Sequence, residues 1–331
     1  MREPAFWWHP AGLTAGLLSP LGAAYGAIAA RRMARPGHRA QTPVVCIGNL
    51  TLGGAGKTPT AVAVARILDD AGLRPFVLSR GYGGSLSGPV LVDPANHRSA
   101  DVGDEPLLLA RSAPTVVARD RVAGAAAARD AGAKSIVMDD GFQNPALNKD
   151  LALLVVDGRR GTGNGRVFPA GPLRAPLPSQ LGRAHAVVVI GSGAAGDRMA
   201  ALAQVRGLPV FRGVLEPDRP ALEAIKGRPV LAFAGIGDPE KFFATLRAAG
   251  IDVRAERAFP DHHRYRRKEA LDLIAVAERD GLVPVTTEKD WVRLAGQDDL
   301  SALAGVSRIL PVTLKVEGED AFRDFVLRGV R

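Results

Sequence analysis

The chain has 331 residues, of which 47% are hydrophobic and 23% charged, a composition typical of a folded protein and not of a disordered one. This length allows one large domain or two unequal ones. The single cysteine, Cys46, excludes a disulfide framework, and no group of Cys and His residues has zinc-ligand spacing. The net charge of +9 favours an anionic partner, such as a phosphate, a nucleic acid or a membrane surface.

The amino-terminal forty residues combine a long uncharged segment with a cluster of arginines. No charged side chain occurs in residues 10–30, and arginines follow directly. Larger apolar side chains recur in this segment at helical spacing, at Leu13, Leu17, Leu21, Tyr25 and Ile28. Trp7 and Trp8 suit the headgroup level of a membrane, and the arginines suit anionic lipids.

Several interpretations compete for this segment. A signal peptide is disfavoured because the first residues form a poor basic region and arginines follow at once. A membrane-spanning helix is long enough, but Pro20 and the many glycines and alanines make it only modestly hydrophobic. A helix packed on its own domain is a further alternative. We favour an amphipathic helix within residues 1–40 that lies in the cytoplasmic leaflet of a membrane.

Beyond residue 40, short β-rich runs alternate with helical stretches, which indicates a parallel α/β sheet. In a first domain, residues 41–215, the predicted strands are Pro43–Asn49, Pro75–Ser79, Thr115–Ala118, Ser135–Met138, Leu151–Val156 and Ala186–Ile190, and the predicted helices are Thr58–Ala71, Asp104–Ser112 and Arg121–Ala131. The glycine- and proline-rich residues 158–178 lack periodicity, and so long a loop is usually functional.

A smaller α/β domain, residues 216–331, is predicted after a linker near residues 208–228, where Pro217, Pro220 and Gly227 interrupt the pattern. Its predicted strands are Pro229–Ala234, Asp252–Ala258, Val283–Thr286 and Ile309–Val316, and its predicted helices are Asp238–Ala249, Lys268–Asp280 and a terminal helix.

A glycine-rich segment between the first predicted strand and helix has the features of a phosphate-binding loop. Its glycines allow successive backbone N–H groups to point at phosphate oxygens beside a helix N-terminus. Lys57 would reach the β- and γ-phosphates, and the Thr58 hydroxyl would bind Mg²⁺. The strict pattern has a glycine where Thr51 stands. The predicted nucleotide-binding residues are Thr51, Leu52, Gly53, Gly54, Ala55, Gly56, Lys57 and Thr58.

A second acidic motif accompanies this loop. The apolar run Ile136–Met138 leads into Asp139 and Asp140, and a carboxylate at such a strand end can hold Mg²⁺ or its waters. No Asn-Lys-x-Asp or Thr-Lys-x-Asp motif is present, which disfavours GTP as the nucleotide. We therefore predict Mg²⁺ and ATP as cofactors, bound to a P-loop NTPase-like α/β core with a parallel sheet, a smaller C-terminal α/β domain and an N-terminal membrane-associated helix.

An ordered set of short motifs extends over nearly the whole chain. The motifs are Gly48–Thr51, Gly53–Pro59, Ser79–Gly84, Gly103–Pro106, Asp139–Gln143, Gly163–Gly165, Pro169–Arg174, Ala234–Gly237, Asp261–His262 and Thr287–Asp290. Taken in this order, they resemble the lipid A 4'-kinase (tetraacyldisaccharide 4'-kinase) family. The resemblance implies transfer of the ATP γ-phosphate to the 4'-hydroxyl of a tetraacyldisaccharide 1-phosphate, which forms lipid IVA in lipid A biosynthesis. The chain departs from the family at Ala175, where glutamate is usual, and at Asn144, where histidine is usual.

The resemblance also implies roles for particular residues. Asp104 matches the family's catalytic position and is our first choice as the base that takes the proton of the sugar hydroxyl; capping of the helix that starts there is the alternative. His262 is expected to pair with Asp104 or with one of Asp139 and Asp140. The complete catalytic set is Asp104, His262, Lys57, Asp139, Asp140 and Arg174, and the metal ligands are Thr58, Glu105 and Asp139.

The implied partners are a lipid-linked disaccharide 1-phosphate and the lipid surface of the bacterial inner membrane, at whose cytoplasmic face the chain would act as a peripheral or monotopic monomer. A membrane-associated P-loop ATPase acting on another substrate is the alternative. Nucleic acid is not expected as a partner, because three tryptophans and three tyrosines are too few for an aromatic-rich basic face.

Overall fold

The computed structural model describes residues 3–330, which form two β-sheets flanked by helices. The strands in these residues are β1 (Val44–Asn49), β2 (Pro75–Ser79), β3 (Val90–Leu91), β4 (Thr115–Val117), β5 (Ser135–Asp139), β6 (Leu151–Asp157), β7 (Ala186–Ile190), β8 (Val210–Pro217), β9 (Val230–Ala234), β10 (Val253–Ala258), β11 (Val283–Thr287), β12 (Arg308–Leu310) and β13 (Val312–Val316).

The helices cover both faces of the sheets. Within residues 3–330, a 3-10 helix at Ala5–Trp8 precedes the α-helices α1 (Leu13–Met33), α2 (Lys57–Asp70), α3 (Ser99–Val102), α4 (Asp104–Ala110), α5 (Arg121–Asp130), α6 (Leu177–Leu181), α7 (Ala194–Val205), α8 (Arg219–Glu223), α9 (Pro239–Ala248), α10 (Arg267–Arg279), α11 (Glu288–Leu294), α12 (Ser301–Val306) and α13 (Glu319–Arg328).

The larger sheet has the strand order β13-β8-β7-β6-β1-β5-β2-β4-β3, and it is parallel except for its two antiparallel edge strands, β3 and β13. All residues of β1, β5 and β6 are buried, as expected for central strands covered on both faces. Because β1 lies between β5 and β6, the loop after β1 emerges beside the end of β5, and Ile47 pairs in register with Asp139. Ligands of open α/β sheets bind at this edge.

The smaller sheet has the order β10-β9-β11-β12 and is entirely parallel. Our sequence prediction placed one strand at Ile309–Val316 and assigned the whole carboxyl terminus to this domain. Instead the chain is interrupted at Pro311: β12 joins the smaller sheet, whereas β13 pairs with β8 in the larger one. The proline has no N–H for a sheet hydrogen bond, so the strand ends there and the next residues join another sheet.

Two further parts of the prediction differ from the structure. The region predicted as a linker contains the eight-residue strand β8, which pairs with β7 and β13. Helix α13 packs on α2 of the larger domain, where Phe322 and Val326 join the same core as Val64 and Leu68. Residues 312–330 therefore belong with the larger sheet, because strand pairing and apolar burial hold them there.

Helix α1 presents its large apolar side chains to the outside. Leu13 is 89% exposed and Leu17 81% exposed, and Leu21, Tyr25 and Ile28 extend the same face. Small residues form the opposite face: a Cβ on Gly22 would lie 2.8 Å from the Val167 carbonyl oxygen. Among residues 3–330, α1 is also the one helix that is long and apolar enough to cross a membrane.

Candidate active site

A cleft of about 1090 Å³ lies between the two domains. It is lined by residues that follow the carboxyl ends of strands in both sheets. From the larger sheet these are the loop after β1, Asp139 and Asp140 after β5, and Asp157 at the end of β6. The smaller domain contributes Gly237 after β9 and Lys289 after β11.

The loop after β1 has the geometry of an anion-binding turn. Gly53 and Gly56 have φ angles of 99° and 91°, in the left-handed region that glycine tolerates best. The Asn49 amide nitrogen braces the loop by donating to the carbonyl oxygens of Thr51 (2.7 Å) and Gly53 (3.1 Å). Helix α2 then begins at Lys57, so its free N–H groups and the positive end of its dipole face the cleft.

The residues predicted to bind the nucleotide divide into two groups. Those from Leu52 to Thr58 line the cleft. Thr51 is buried and forms a β-bridge with Leu173, and its carbonyl oxygen accepts a hydrogen bond from Arg174 Nε at 2.9 Å. Thr51 therefore anchors the loop to the glycine- and proline-rich segment.

Asp140 is the centre of a charge cluster beside this loop. Its Oδ1 lies 3.8 Å from Lys57 Nζ and 3.1 Å from Arg174 Nη1. Burial alone would raise the pKa of Asp140, but the charges of Lys57 and Arg174 lower it, so this carboxyl is ionised. Burial, followed by the charge of Asp140, raises the pKa of the adjacent Asp139 to about 6.

Asp104 and His262 meet across the domain boundary. Asp104 is the first residue of α4 in the larger domain, and its Oδ2 lies 3.0 Å from His262 Nδ1 in the smaller domain. The hydrogen bond to Asp104 raises the pKa of His262. Of the partners that we considered for His262, Asp104 is the one in hydrogen-bond contact. His262 lines the cleft and Asp104 lies behind it, nearly buried.

Glu105 lies next to this pair and forms an ion pair with Lys289 of the smaller domain. Lys289 Nζ donates to Glu105 Oε1 at 2.6 Å. Two buried carboxylate oxygens, Glu105 Oε2 and Asp139 Oδ1, have no hydrogen-bond partner within residues 3–330. Unpaired buried carboxylate oxygens are costly unless a cation binds them, and hard oxygen ligands are what Mg²⁺ prefers. Glu105 and Asp139 therefore each offer an unpaired oxygen that suits Mg²⁺, and Thr58 lines the same cleft.

Backbone strain is concentrated in the same place. Within the described part of the chain, the non-glycine residues with positive φ are Arg74, Asp140 (49°) and His262 (56°). The left-handed region costs a non-glycine residue about 1–2 kcal/mol. Two of these three strained residues line the cleft, which is typical of sites where side-chain placement matters more than stability.

Some residues at the site escaped the sequence prediction. Arg293, in the smaller domain, contacts Asp104. The only sequence feature that pointed to Arg293 is its position three residues after the motif Thr287–Asp290. Glu3 lies against the phosphate-binding loop, since a Cβ on Gly53 would be 1.9 Å from its Oε1, and it pairs with Arg160 at 2.8 Å. Nothing in a linear motif connects Glu3 with residue 53.

Comparison with known proteins decides the family. The model of the family described as tetraacyldisaccharide-1-P 4'-kinase matches residues 14–331. The chain belongs to this family. Two relatives named tetraacyldisaccharide 4'-kinase are those of Nitrobacter winogradskyi, 56% identical over 330 residues (100% of this chain and 98% of that protein), and of Methylobacterium sp. strain 4-46, 60% identical over 322 residues (97% and 95%).

A solved structure extends the comparison to the fold. The crystal structure of LpxK from Aquifex aeolicus, described as in complex with ATP, matches with a TM-score of 0.74 and 26% identity. The match covers 96% of this chain and 100% of that one. The predicted fold class, a parallel α/β core with a smaller α/β domain and an apolar N-terminal helix, is confirmed by this neighbour and by the sheets described above.

Proposed function

We propose that this chain is an ATP-dependent kinase that transfers the γ-phosphate to the 4'-hydroxyl of a tetraacyldisaccharide 1-phosphate. The observation that carries the proposal is one cleft lined both by a phosphate-binding loop and by His262, which Asp104 contacts from behind, in a chain of this family. The loop suits a nucleotide triphosphate, and the pair suits a hydroxyl that must lose its proton during transfer.

The proton of the attacking hydroxyl passes to the Asp104–His262 pair. Burial alone would raise the pKa of Asp104, but the hydrogen bond with His262 and the charge of Arg293 lower it, so the carboxylate is ionised at neutral pH. An ionised Asp104 stabilises the imidazolium that forms when His262 takes a proton. Either member of the pair can serve as the immediate acceptor, and the pair as a unit is the base.

Positive charge around the phosphate-binding loop stabilises the transferring phosphoryl group. Lys57 and Arg174 already lie within ion-pair distance of Asp140, next to the loop. Thr58, Glu105 and Asp139 would hold Mg²⁺, which neutralises charge on the phosphate oxygens when it is bound. Arg80 lines the same cleft and is exposed, so it is available to either phosphate of the reaction.

The substrate class explains the exposed face of α1. Each buried methylene stabilises a lipid in the bilayer by about 0.8 kcal/mol, so a four-chain lipid does not leave the membrane spontaneously and the enzyme must come to it. The apolar stripe of α1 is the surface suited to that task, and Arg31 and Arg32 in its last turn suit anionic headgroups. We propose that α1 lies in the cytoplasmic leaflet of the inner membrane.

The kinase proposal is tested with γ-labelled ATP and a tetraacyldisaccharide 1-phosphate in detergent micelles. We expect the wild-type protein to phosphorylate the 4'-position, and Lys57→Ala and Asp104→Ala to lose at least about 10²-fold in kcat. Ser301→Ala, an exposed hydroxyl in the smaller domain, serves as the matched control. ATP consumption that is equal with and without the lipid, with no labelled lipid formed, would instead support the membrane-associated ATPase.

The membrane proposal is tested by co-sedimentation with anionic vesicles. Replacing Leu17 and Leu21 by glutamate should weaken vesicle binding by about 10²-fold or more, because each leucine contributes about 1.5–3 kcal/mol when buried. Ala23→Glu is the control, since Ala23 is exposed but lies on another flank of α1. Equal binding of the double variant and the control would contradict the proposed orientation.

A further inference from the structure

A buried charge network in the smaller domain ends at the active site. Arg293 lies on α11 and its side chain is 4% exposed, and that of Asp290 is fully buried. Arg293 Nη1 donates to Asp290 Oδ1 at 2.9 Å and to the Gly235 carbonyl oxygen at 2.6 Å. The Tyr265 hydroxyl and the Gly235 N–H also donate to Asp290 Oδ1, both at 2.9 Å. Hydrogen bonds to groups of its own domain thus fix the position of the Arg293 guanidinium.

The Arg293 guanidinium also contacts Asp104, which belongs to the larger domain. Arg293 Nε donates to Asp104 Oδ2 at 2.7 Å, and Nη2 lies within ion-pair distance of the same oxygen without forming a hydrogen bond. His262 Nδ1 contacts that oxygen too, at 3.0 Å. The contacts that reach this carboxylate from Arg293 and His262 are therefore all made to Oδ2.

Gly235 joins the two groups that reach Asp104. Its carbonyl oxygen accepts both from Arg293 Nη1 and from the backbone N–H of His262, the latter at 3.2 Å. Arg293 and His262 are therefore hydrogen-bonded to one peptide group directly after β9. Both approach Asp104 from this shared anchor in the smaller domain.

We propose that Arg293 is a positioning residue that sets the orientation of the Asp104 carboxylate relative to His262 through its fixed guanidinium fork. This inference rests on the proposed function, in which the Asp104–His262 pair accepts the proton. A guanidinium presents its donors in one plane, so it fixes an angle as well as a charge, whereas a lysine supplies only a point charge. The smaller domain thereby contributes both His262 and the residue that orients Asp104, its partner in the catalytic base.

A purely structural ion pair between the domains is the competing explanation. It predicts that loss of Arg293 weakens stability and nucleotide affinity along with turnover. Arg159 provides a second ion pair across the same boundary for comparison, because its Nη2 lies 2.6 Å from Asp238, although its side chain is 49% exposed. Asp290 keeps the hydrogen bonds from Tyr265, Gly235 and Thr287 when Arg293 is replaced, although its buried charge loses its cationic partner.

The experiment measures kcat, KM for ATP and nucleotide affinity for Arg293→Gln, Arg293→Lys and Arg159→Gln, with the lipid acceptor. We expect Arg293→Gln to lower kcat by about 10²-fold with KM and affinity within about threefold of wild type, Arg293→Lys to recover about tenfold, and Arg159→Gln to match wild type. In an Asp104→Ala background, Arg293→Gln should cause no further loss, because the two residues act through one carboxylate.

Loss of stability and nucleotide affinity in parallel with turnover would support the structural ion pair instead, and three further outcomes also overturn the inference. Arg293→Gln with normal kcat, beside an inactive Asp104→Ala, removes the positioning role but leaves the kinase proposal standing. An equal loss from Arg293→Gln in both backgrounds shows that Arg293 does not act through Asp104. An Asp104→Ala variant that keeps wild-type kcat removes the assigned base, and the inference with it. If Arg293→Gln does not fold, the same comparison of kcat is made with Arg293→Lys in the wild-type and Asp104→Ala backgrounds.

Discussion

At the scale of single residues, Asp139 shows how a site residue can oppose stability. Burial and the neighbouring Asp140 raise its pKa to about 6, above that of an aspartate in an unfolded chain. The folded state therefore binds this proton more tightly than the unfolded state does. The stabilisation that this bound proton gives the folded state is complete below the pKa of an aspartate in the unfolded chain. It is lost as pH rises through about 6, where folded Asp139 ionises.

We predict that Asp139→Asn is more stable than wild type at pH 8 in the absence of nucleotide, by up to about 3 kcal/mol, and that the difference shrinks towards pH 5. The same variant should lose kinase activity, because an amide is a poorer ligand for a cation than a carboxylate. Thermal denaturation across this pH range measures the effect, with exposed Asp299→Asn as the control. A stability difference that does not change with pH would contradict the assignment of the raised pKa.

Local motifs could predict some of the residues at the cleft, but not their partners. Lys57 and Thr58 are recognisable at the end of the glycine-rich loop after β1, and Asp139 at the end of β5. Neighbouring parallel strands bring these ends together. The contact of Arg293 with Asp104 joins residues 189 positions apart and depends on how two domains dock. No periodicity or spacing in the chain encodes that arrangement.

At the scale of secondary structure, the packing of α1 depends on the positions of its glycines. A Cβ on Gly22 would lie 2.8 Å from the Val167 carbonyl oxygen, and one on Gly26 would lie 3.3 Å from Pro176 Cγ. A Cβ on Gly16 would meet nothing within 4 Å. The helix is therefore held against residues 167–176 by close backbone approach, which leaves its large side chains outside.

We predict opposite effects for two equivalent substitutions in α1. Gly22→Ala should destabilise the docked helix by about 1–3 kcal/mol, because the carbonyl it meets belongs to the backbone. Gly16→Ala should stabilise it by up to about 1 kcal/mol, because alanine is the better helix former and the space is open. Limited proteolysis of the amino terminus in detergent distinguishes them, and equal cleavage of both variants would contradict this packing.

The strands were more predictable than the connections between them. The predicted Pro75–Ser79 and Ala186–Ile190 coincide with β2 and β7, because buried parallel strands are short apolar runs between turn residues. The sequence prediction did not include helix α7, because its alanine-rich sequence gives only a weak apolar stripe. Pro311 lies inside a single apolar run, and only the pairing of strands reveals that the run serves two sheets.

At the scale of the whole molecule, the carboxyl-terminal elements β13 and α13 both line the cleft and pack against α2. Phe322 on α13 is 1% exposed, packs on Phe211 with ring centroids 5.0 Å apart, and shares a core with the inner face of α2. Because α2 carries Lys57 and Thr58, the last turns of the chain stabilise the helix that begins at the phosphate-binding loop.

We predict that Phe322→Ala lowers the free energy of unfolding by about 3–5 kcal/mol, as expected for a buried phenylalanine replaced by alanine. Leu271→Ala, at a position that is 52% exposed, should change it by less than about 0.5 kcal/mol. Chemical denaturation monitored together with nucleotide binding checks both values. A small effect at Phe322 would mean that α13 contributes little to the larger domain.

The interruption at Pro311 has a topological consequence. The polypeptide leaves the larger sheet after Pro217 and re-enters it at Val312, and these two residues are direct register partners on adjacent antiparallel strands. The intervening 218–311 portion is therefore an insertion whose two attachment points lie side by side, and a tight two-residue reverse turn could replace it without disturbing the host sheet. Such a shortened protein would retain its phosphate-binding loop but would lack both His262 and Arg293.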